Sequence, residues 1–143
     1  MTRPSLDEYW LAMVPLVATR GTCPRRQVGA ILTDADGKLV ATGYNGNPPG
    51  APHCIDSPCP GSPVLNDKRE DCEVLHAELN ALLQAVDSRR KPVMLYCSLT
   101  PCLPCAKALL TAGIRRVIAL EQYKYDDAGV LLLRKYGVEV YVV

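Results

Sequence analysis

The hydrophobic and polar positions change period several times along the chain, and each change marks a predicted element. Near the N-terminus, apolar side chains recur at helical spacing: Trp10, Met13, Val14 and Val17. This stripe predicts a helix over residues 6–19, and Ser5 with Glu8 has the pattern of a capping box at its start. Pro15 lies inside the pattern, so we expect the helix to be kinked or perturbed there.

Two short β-type runs follow the first helix, over residues 28–33 and 38–42. They are joined by Asp34-Ala35-Asp36-Gly37, in which Asp-Gly is a strong hairpin signal. We therefore predict an antiparallel pair of strands.

The second half alternates helical stripes with apolar runs. Helices are predicted at about 73–86, 101–112 and 127–136, and strands at 93–98, 117–120 and 138–143. Gly113 and Gly137 follow two of the helices as C-cap residues. The alternation predicts a central, mostly parallel sheet flanked by helices, with the antiparallel hairpin at one side.

A segment over residues 43–71 breaks this regularity, because it is rich in proline and glycine and has little periodicity. It is too long for an idle connection in a compact domain, so we expect it to be functional or held by a metal.

Composition narrows the choice of function. The 143 residues fit one domain, and a net charge of +1 without a basic stripe argues against a long nucleic acid as a partner. No apolar run reaches membrane-span length, and the first residues lead into a capped helix rather than a signal peptide. We therefore expect a cytoplasmic protein, whose seven cysteines serve as metal ligands and buried thiols.

Two short motifs carry the chemistry. His76-Ala77-Glu78 opens one apolar helical stretch, and Pro101-Cys102-Leu103-Pro104-Cys105 opens another. They supply an imidazole, two thiolates and a nearby carboxylate, the set that a catalytic zinc needs if one position is to stay open for water. Each motif alone has a simpler explanation, since Cys-x-x-Cys also occurs in redox pairs and structural zinc sites.

These motifs and their surroundings resemble the deoxycytidylate (dCMP) deaminase family. The resemblance is carried by four segments in the same order, Val28–Ile31, Gly43–Gly46, His76–Ala81 and Thr100–Lys107. It implies a cytidine-deaminase-like α/β fold, a three-layer α/β/α sandwich with a central mixed five-stranded sheet. It also implies zinc-dependent hydrolysis of dCMP to dUMP and ammonia, which feeds thymidylate synthesis.

The resemblance assigns roles to individual residues. Zinc would be held by His76, Cys102 and Cys105, with Glu78 as the proton carrier. Substrate contacts are expected from Asn45, Ala77, Arg26, Tyr123 and Lys124. Some of these roles have alternatives. Asn45 could instead be a simple turn residue, Tyr125 competes with Tyr123 as the cover of the base, and either tyrosine could be half-buried packing. Arg25 is a further candidate for the phosphate, and each of these cations could equally be ordinary solvated surface.

Four other cysteines bracket the irregular segment, namely Cys23, Cys54, Cys59 and Cys72. We predict that they bind a second, structural zinc, with His53 as a substitute ligand, because a metal can order a loop that buries too little surface. Some dCMP deaminases carry a second zinc near the first. Scattered free thiols, or a site of three ligands, are the alternatives, and Cys97 is expected to be buried in its strand.

Regulation and assembly follow from the same resemblance. Many dCMP deaminases are homo-hexamers activated by dCTP and inhibited by dTTP, with magnesium accompanying the nucleotides, and Gly43, Tyr44 and Gly46 fall in the effector segment. Two other classes of function stay open. One is a deaminase of dCTP, cytidine, modified dCMP, a riboflavin precursor or a tRNA adenosine, and the other is a non-enzymatic zinc-stabilised binding module.

Overall fold

A mixed sheet of five strands organises the computed structural model, which describes residues 2–143. The strands are β1 (Gly29–Thr33), β2 (Leu39–Tyr44), β3 (Met94–Leu99), β4 (Arg116–Glu121) and β5 (Glu139–Val142). The helices are α1 (Leu6–Ala18), α2 (Ala77–Gln84), α3 (Leu103–Ala112) and α4 (Ala128–Lys135). Short 3-10 turns occur at Arg69–Asp71 and Ala85–Asp87.

The strands lie in the order β2-β1-β3-β4-β5. β1 runs antiparallel to both β2 and β3, whereas β3, β4 and β5 are parallel. The predicted hairpin is confirmed. The sheet is less parallel than expected, since two of the four pairings within residues 2–143 are antiparallel.

Alternating side chains of the sheet build a core on each face. On one face Trp10 and Val14 of α1 pack against Ile31, Tyr96 and Ile118. On the other face, helices α2, α3 and α4 cover the neighbouring strand positions, which include Ala30, Leu32, Leu95, Cys97, Val117 and Ala119. The three-layer α/β/α arrangement is therefore confirmed, with α1 forming the thinner layer.

Local signals account for several element ends. Ser5 and Glu8 form the predicted capping box, and α1 continues through Pro15 to Ala18. In the hairpin, a side-chain oxygen of Asp34 accepts hydrogen bonds from the backbone N–H groups of Asp36 and Lys38, each 2.9 Å long. Gly37 follows with a φ of 75°, a backbone conformation that side chains other than glycine rarely adopt.

Two helices begin later than predicted. Helix α2 begins at Ala77 rather than near residue 73, because Leu75 is extended and exchanges backbone hydrogen bonds of 2.9 and 3.1 Å with Gly46. Helix α3 begins at Leu103, so Pro104 rather than Pro101 occupies its first turn. In both cases the residue directly before the helix is its N-cap, which is His76 for α2 and Cys102 for α3.

Within residues 2–143, each helix is too short or too polar to cross a membrane.

Candidate active site

A cleft of about 580 Å³ opens where β3 and β4 end. Its walls are the N-terminal ends of α2 and α3 and the segment after β4, and its lining includes Asn45, Arg69, His76, Glu78 and Tyr123. Ligands of α/β proteins commonly bind at the carboxyl ends of parallel strands, and this volume suits a small molecule.

Three predicted metal ligands come together at the cleft: His76 and Cys102 line it, and Cys105 is buried beside them. The Nδ1 atom of His76 lies 3.3 Å from the sulfur of Cys102 and 3.4 Å from that of Cys105. In the described part of the chain, this is the one group of three or more such donors whose ligand atoms all lie within 4.8 Å of one another.

The geometry of this trio fits zinc. A tetrahedral ion with Zn–S bonds of about 2.3 Å and a Zn–N bond of about 2.0–2.1 Å places sulfur and nitrogen about 3.5 Å apart. The two sulfur–nitrogen distances of 3.3 and 3.4 Å are close to that value. One imidazole and two thiolates also leave a fourth position for water, which is the donor set of a catalytic rather than a structural site.

The electrostatics of the trio favour a cation. A hydrogen bond from Cys105, together with one from His76, lowers the pKa of the Cys102 thiol to about 4. The hydrogen bond with Cys102, helped by the negative charge there, in turn raises the pKa of His76. Because the proton shared with Cys102 stays on Cys105, and Cys105 is buried, the pKa of Cys105 is raised. A divalent ion would displace these protons.

Glu78 lies in the first turn of α2 and points into the protein, with only 5% of its surface exposed. Its Oε2 atom accepts a hydrogen bond of 3.7 Å from the thiol of Cys105. Burial raises the pKa of this carboxyl because the charged form is poorly solvated there. The group is thus a carboxyl held beside the metal ligands and suited to carrying a proton.

Asn45 is buried at the wall of the cleft, and backbone contacts fix its side chain. Its Oδ1 accepts a hydrogen bond of 2.8 Å from the N–H of Val28, and its Nδ2 donates one of 2.6 Å to the carbonyl of Arg26. One N–H of the amide remains for a ligand. Ala77, at the start of α2, also lines the cleft. Contact of either residue with a substrate stays a prediction.

The segment after β4 forms one rim of the cleft. The rings of Tyr123 and Tyr125 are 5.3 Å apart between centroids, and Tyr125 is the more exposed of the two. The buried hydroxyl of Thr100 accepts a hydrogen bond of 2.7 Å from the backbone N–H of Tyr123. This bond fixes Tyr123 relative to the Pro101–Cys102 loop, which favours Tyr123 as the cover of a bound ring.

The cations around the cleft differ in their present partners. Arg25 donates hydrogen bonds to Asp67 at 2.6 Å and to the carbonyl of Gly61 at 2.7 Å, so its guanidinium stabilises the irregular loop. Arg26 pairs with Glu121 at 3.0 Å. Lys124 and Arg69 both lie over the ring of Tyr125, at 5.2 and 3.8 Å from its centroid.

The four cysteines of the predicted second site come together in one cluster beside the cleft. Cys23, Cys54 and Cys59 are buried with Val74, and Cys72 packs against them. The sulfurs of Cys54 and Cys59 are 3.4 Å apart. Although the cluster lacks the tight spacing of the first trio, it gathers the predicted thiols from before, within and directly after the irregular segment. His53, the substitute ligand, is exposed.

The residues of the predicted effector segment are mainly structural in this fold. Gly43 is buried where β2 crosses α2, and a Cβ there would collide with the backbone of Ala77 and Ala81. Gly46 pairs with Leu75, and the ring of Tyr44 lies 6.0 Å from the guanidinium of Arg20. Effector binding by these residues stays a prediction.

Arg69 and Thr100 are among the cleft residues that sequence reasoning missed. Arg69 lies in the 3-10 turn that ends the irregular segment, and Thr100 supports Tyr123 from the end of β3. Lys68-Arg69, a pair of cations shortly before His76, was the available signal for Arg69. A buried hydroxyl such as that of Thr100 leaves no comparable pattern in a sequence.

Comparison with known proteins gives a family match. The model of the cytidine and deoxycytidylate deaminase zinc-binding region matches residues 4–121. Deoxycytidylate deaminase of Schizosaccharomyces pombe is 37% identical over 142 residues, which cover 96% of this chain and 44% of that protein. The chain thus spans less than half the length of this relative.

Phage proteins match over more of their own length. Deoxycytidylate deaminase of Mycobacterium phage D29 is 36% identical over 124 residues, covering 82% of this chain and 96% of the phage protein. The crystal structure of dCMP deaminase from the cyanophage S-TIM5, in complex with dCMP and dUMP, superposes with a TM-score of 0.82. It is 31% identical in sequence, and the superposition covers 100% of both chains.

Proposed function

The chain belongs to the cytidine and deoxycytidylate deaminase zinc-binding family, and from this premise we propose that it hydrolyses dCMP to dUMP and ammonia. The observation that carries the proposal is the placement of Glu78. Its buried carboxyl lies 3.7 Å from the sulfur of Cys105, within a cleft large enough for a nucleotide. A purely structural zinc site has no use for a carboxyl in that position.

His76, Cys102 and Cys105 would hold the zinc. When bound, zinc supplies Lewis acidity that makes water a nucleophile at neutral pH. Glu78 accepts the proton of the attacking water at a carboxylate oxygen and delivers it to nitrogen 3 of the cytosine ring. It then moves the proton of the new hydroxyl on carbon 4 to the amino group, which leaves as ammonia while the carbonyl of uracil forms.

The walls of the cleft suit a nucleotide. The free N–H of the Asn45 amide is available for a sugar hydroxyl, since the other polar positions of this side chain are already bonded to backbone. Tyr123, whose backbone is held by Thr100, would stack on the base. Ala77 begins α2 beside the metal ligands, where its backbone can contact the ring.

For the 5′-phosphate we infer a role for Arg69, in addition to the predicted Arg26 and Lys124. Arg25 is the least suitable cation, because it is bonded within the loop to Asp67 and Gly61. Arg69 lines the cleft, and its guanidinium rests on the exposed ring of Tyr125, from which its planar donors can reach an anion.

Replacing Arg69 by alanine is expected to lower kcat/KM for dCMP by about 10- to 100-fold, the loss that corresponds to one charge-assisted hydrogen bond. Most of the change should fall on KM, because the phosphate is bound alike in the ground and transition states. Deoxycytidine, which lacks the phosphate, should be turned over by the variant and by the wild type at similar rates. Steady-state kinetics with both substrates provides the measurement.

Arg20→Ala is the matched control, since Arg20 also rests on a tyrosine, Tyr44, but lies outside the cleft. It should leave both substrates unaffected. Equal losses on dCMP and deoxycytidine in Arg69→Ala would contradict a phosphate contact and indicate a general disturbance of the cleft.

We also propose that Cys23, Cys54, Cys59 and Cys72 hold a structural zinc. The support is that one fold brings all four thiols into a single cluster although they are spread over 50 residues. Arg25 bonds to Asp67 and Gly61 of the same loop. The metal and this ion pair together would order the segment that carries Arg69.

Assembly into a homo-hexamer and control by dCTP and dTTP stay predictions of the family resemblance. Exposed apolar side chains on α2 and α4 and directly after them offer surface for such assembly, among them Leu83, Val86, Leu131 and Tyr136. All seven cysteines are free thiols, which fits the predicted cytoplasmic location.

The decisive experiment for the proposed function is a substrate panel. The purified protein is incubated with dCMP, CMP, dCTP, deoxycytidine and a tRNA, and ammonia release is followed for each. We expect the highest kcat/KM with dCMP. Faster turnover of another compound would replace dCMP as the substrate, and no turnover of any would favour a binding module.

A further inference from the structure

Helix α4 begins against the loop that carries Cys102, with a backbone contact that leaves no room for a side chain. A Cβ added to Gly129, the second residue of α4, would fall onto the carbonyl oxygen of Pro101. It would also lie 2.7 Å from the carbonyl carbon of Cys102 and 2.8 Å from its oxygen. Real Cβ atoms do not approach other atoms this closely, so something must move if Gly129 is replaced.

Neither partner of this contact can move freely. Val130 and Leu133 of α4 are buried in the core, with 3% and 0% of their surfaces exposed. On the other side, Pro101 is fully buried, and the carbonyl of Cys102 accepts the first hydrogen bond of α3, 2.9 Å from the N–H of Ala106. Relief of the clash would therefore displace the Pro101–Cys102 peptide, which carries the Cys102 ligand.

We propose that Gly129 is a positioning residue for the metal site. Because it has no side chain, α4 can pack directly against the Pro101–Cys102 loop and hold it in place. The rim segment with Tyr123 and Tyr125 leads directly into α4, so the same contact fixes the rim relative to the metal ligands. The inference rests on the metal site of the proposed function and adds a residue that touches neither metal nor substrate.

The test compares Gly129→Ala with Gly29→Ala. A Cβ at Gly29 would lie 2.6 Å from the carbonyl oxygen of Val14 and 2.8 Å from the nitrogen of Ala18, so the control introduces a similar backbone clash. That clash is with α1, on the opposite face of the sheet from α4. Both variants should lose stability, but only Gly129→Ala should alter the metal site.

The experiment measures the rate at which a chelator removes zinc from the folded protein. The kinetic phase that belongs to the active-site zinc is the one that is absent in His76→Ala. In Gly129→Ala this phase should be about 10- to 100-fold faster, the range found when a group that orients a ligand is lost. The thiolate-to-cobalt absorption of the cobalt-loaded protein should shift as well. Gly29→Ala should match the wild type in both measurements, and equal behaviour of the two variants would overturn the inference.

A second measurement needs no variant. If α4 braces the metal loop, metal binding must in turn stabilise α4, because coupling between two sites is reciprocal. Hydrogen exchange of the Leu131 amide, which donates to Asp127 at 2.9 Å, should be slower in the zinc-loaded than in the zinc-free wild type. Amides of the Asp34–Lys38 turn should be unchanged.

Failure of the proposed function and failure of the role of Gly129 give different results. Wild-type protein that binds no metal at His76 would refute the proposed function. Wild-type protein that binds metal while the Leu131 amide gains no protection would refute only the role of Gly129, and this holds even if Gly129→Ala does not fold.

Discussion

Replacing Glu78 by glutamine is expected to lower kcat for dCMP by about 10²- to 10⁴-fold, the usual contribution of a general acid–base group. The amide keeps the shape of the side chain but can neither accept the proton of the attacking water nor deliver one to the ring. Glu78→Ala should be at least as inactive. Because Glu78 is not a ligand of the trio, both variants should retain their zinc, which elemental analysis of the purified proteins would measure.

Glu73→Gln is a matched control for this prediction. Glu73 lies five residues upstream, is exposed, and has no side-chain role in the cleft. It should keep the wild-type kcat. If Glu78→Gln remained within a few-fold of the wild type, the assignment of Glu78 as proton carrier would be wrong, whereas loss of zinc from the variant would mean that Glu78 supports the metal site instead.

The second large effect is expected in the cysteine cluster. We expect wild-type protein to contain about two zinc ions per chain and Cys54→Ala to contain about one. Losing a structural zinc removes binding energy that contributes directly to folding. The variant should therefore be less stable by several kcal/mol, with a Tm that is lower by about 10 °C or more. Elemental analysis and thermal unfolding would measure the two changes.

Cys97→Ala is the control for removing a buried thiol, since Cys97 lies fully buried in β3, away from the cluster. It should cost about 1 kcal/mol and leave the metal content unchanged. After both metals are stripped, the stability difference between Cys54→Ala and the wild type should largely disappear. About one zinc per chain in the wild type would rule out the second site.

Local chemistry made much of the fold predictable. The capping box of Ser5 and Glu8 and the Asp-Gly hairpin act within a few residues, so the sequence contains all that determines them. The same is true of Gly113 and Gly137, which end their elements with a φ of 84° each. The metal trio was predictable for a different reason, because the chemistry of zinc restricts both residue type and spacing.

Long-range contacts set the limits of prediction. Helix α2 begins later than its apolar pattern suggests, because Leu75 pairs with Gly46 across the irregular segment. The antiparallel pairing of β1 with β3 depends on where β3 inserts after 60 residues of intervening chain, which periodicity does not encode. Arg25 shows the same limit, since its use by Asp67 rather than by a ligand depends on how the loop folds.

The strand order also has a consequence during synthesis. Because β3 inserts between β1 and β4, the sheet cannot close until the ribosome has added residues well beyond the cysteine-rich loop. In the nascent polypeptide, the thiols of Cys23, Cys54, Cys59 and Cys72 therefore emerge before the framework that buries them. Recombinant production should accordingly give most active material in a reducing host supplied with zinc throughout translation, rather than with zinc added after lysis.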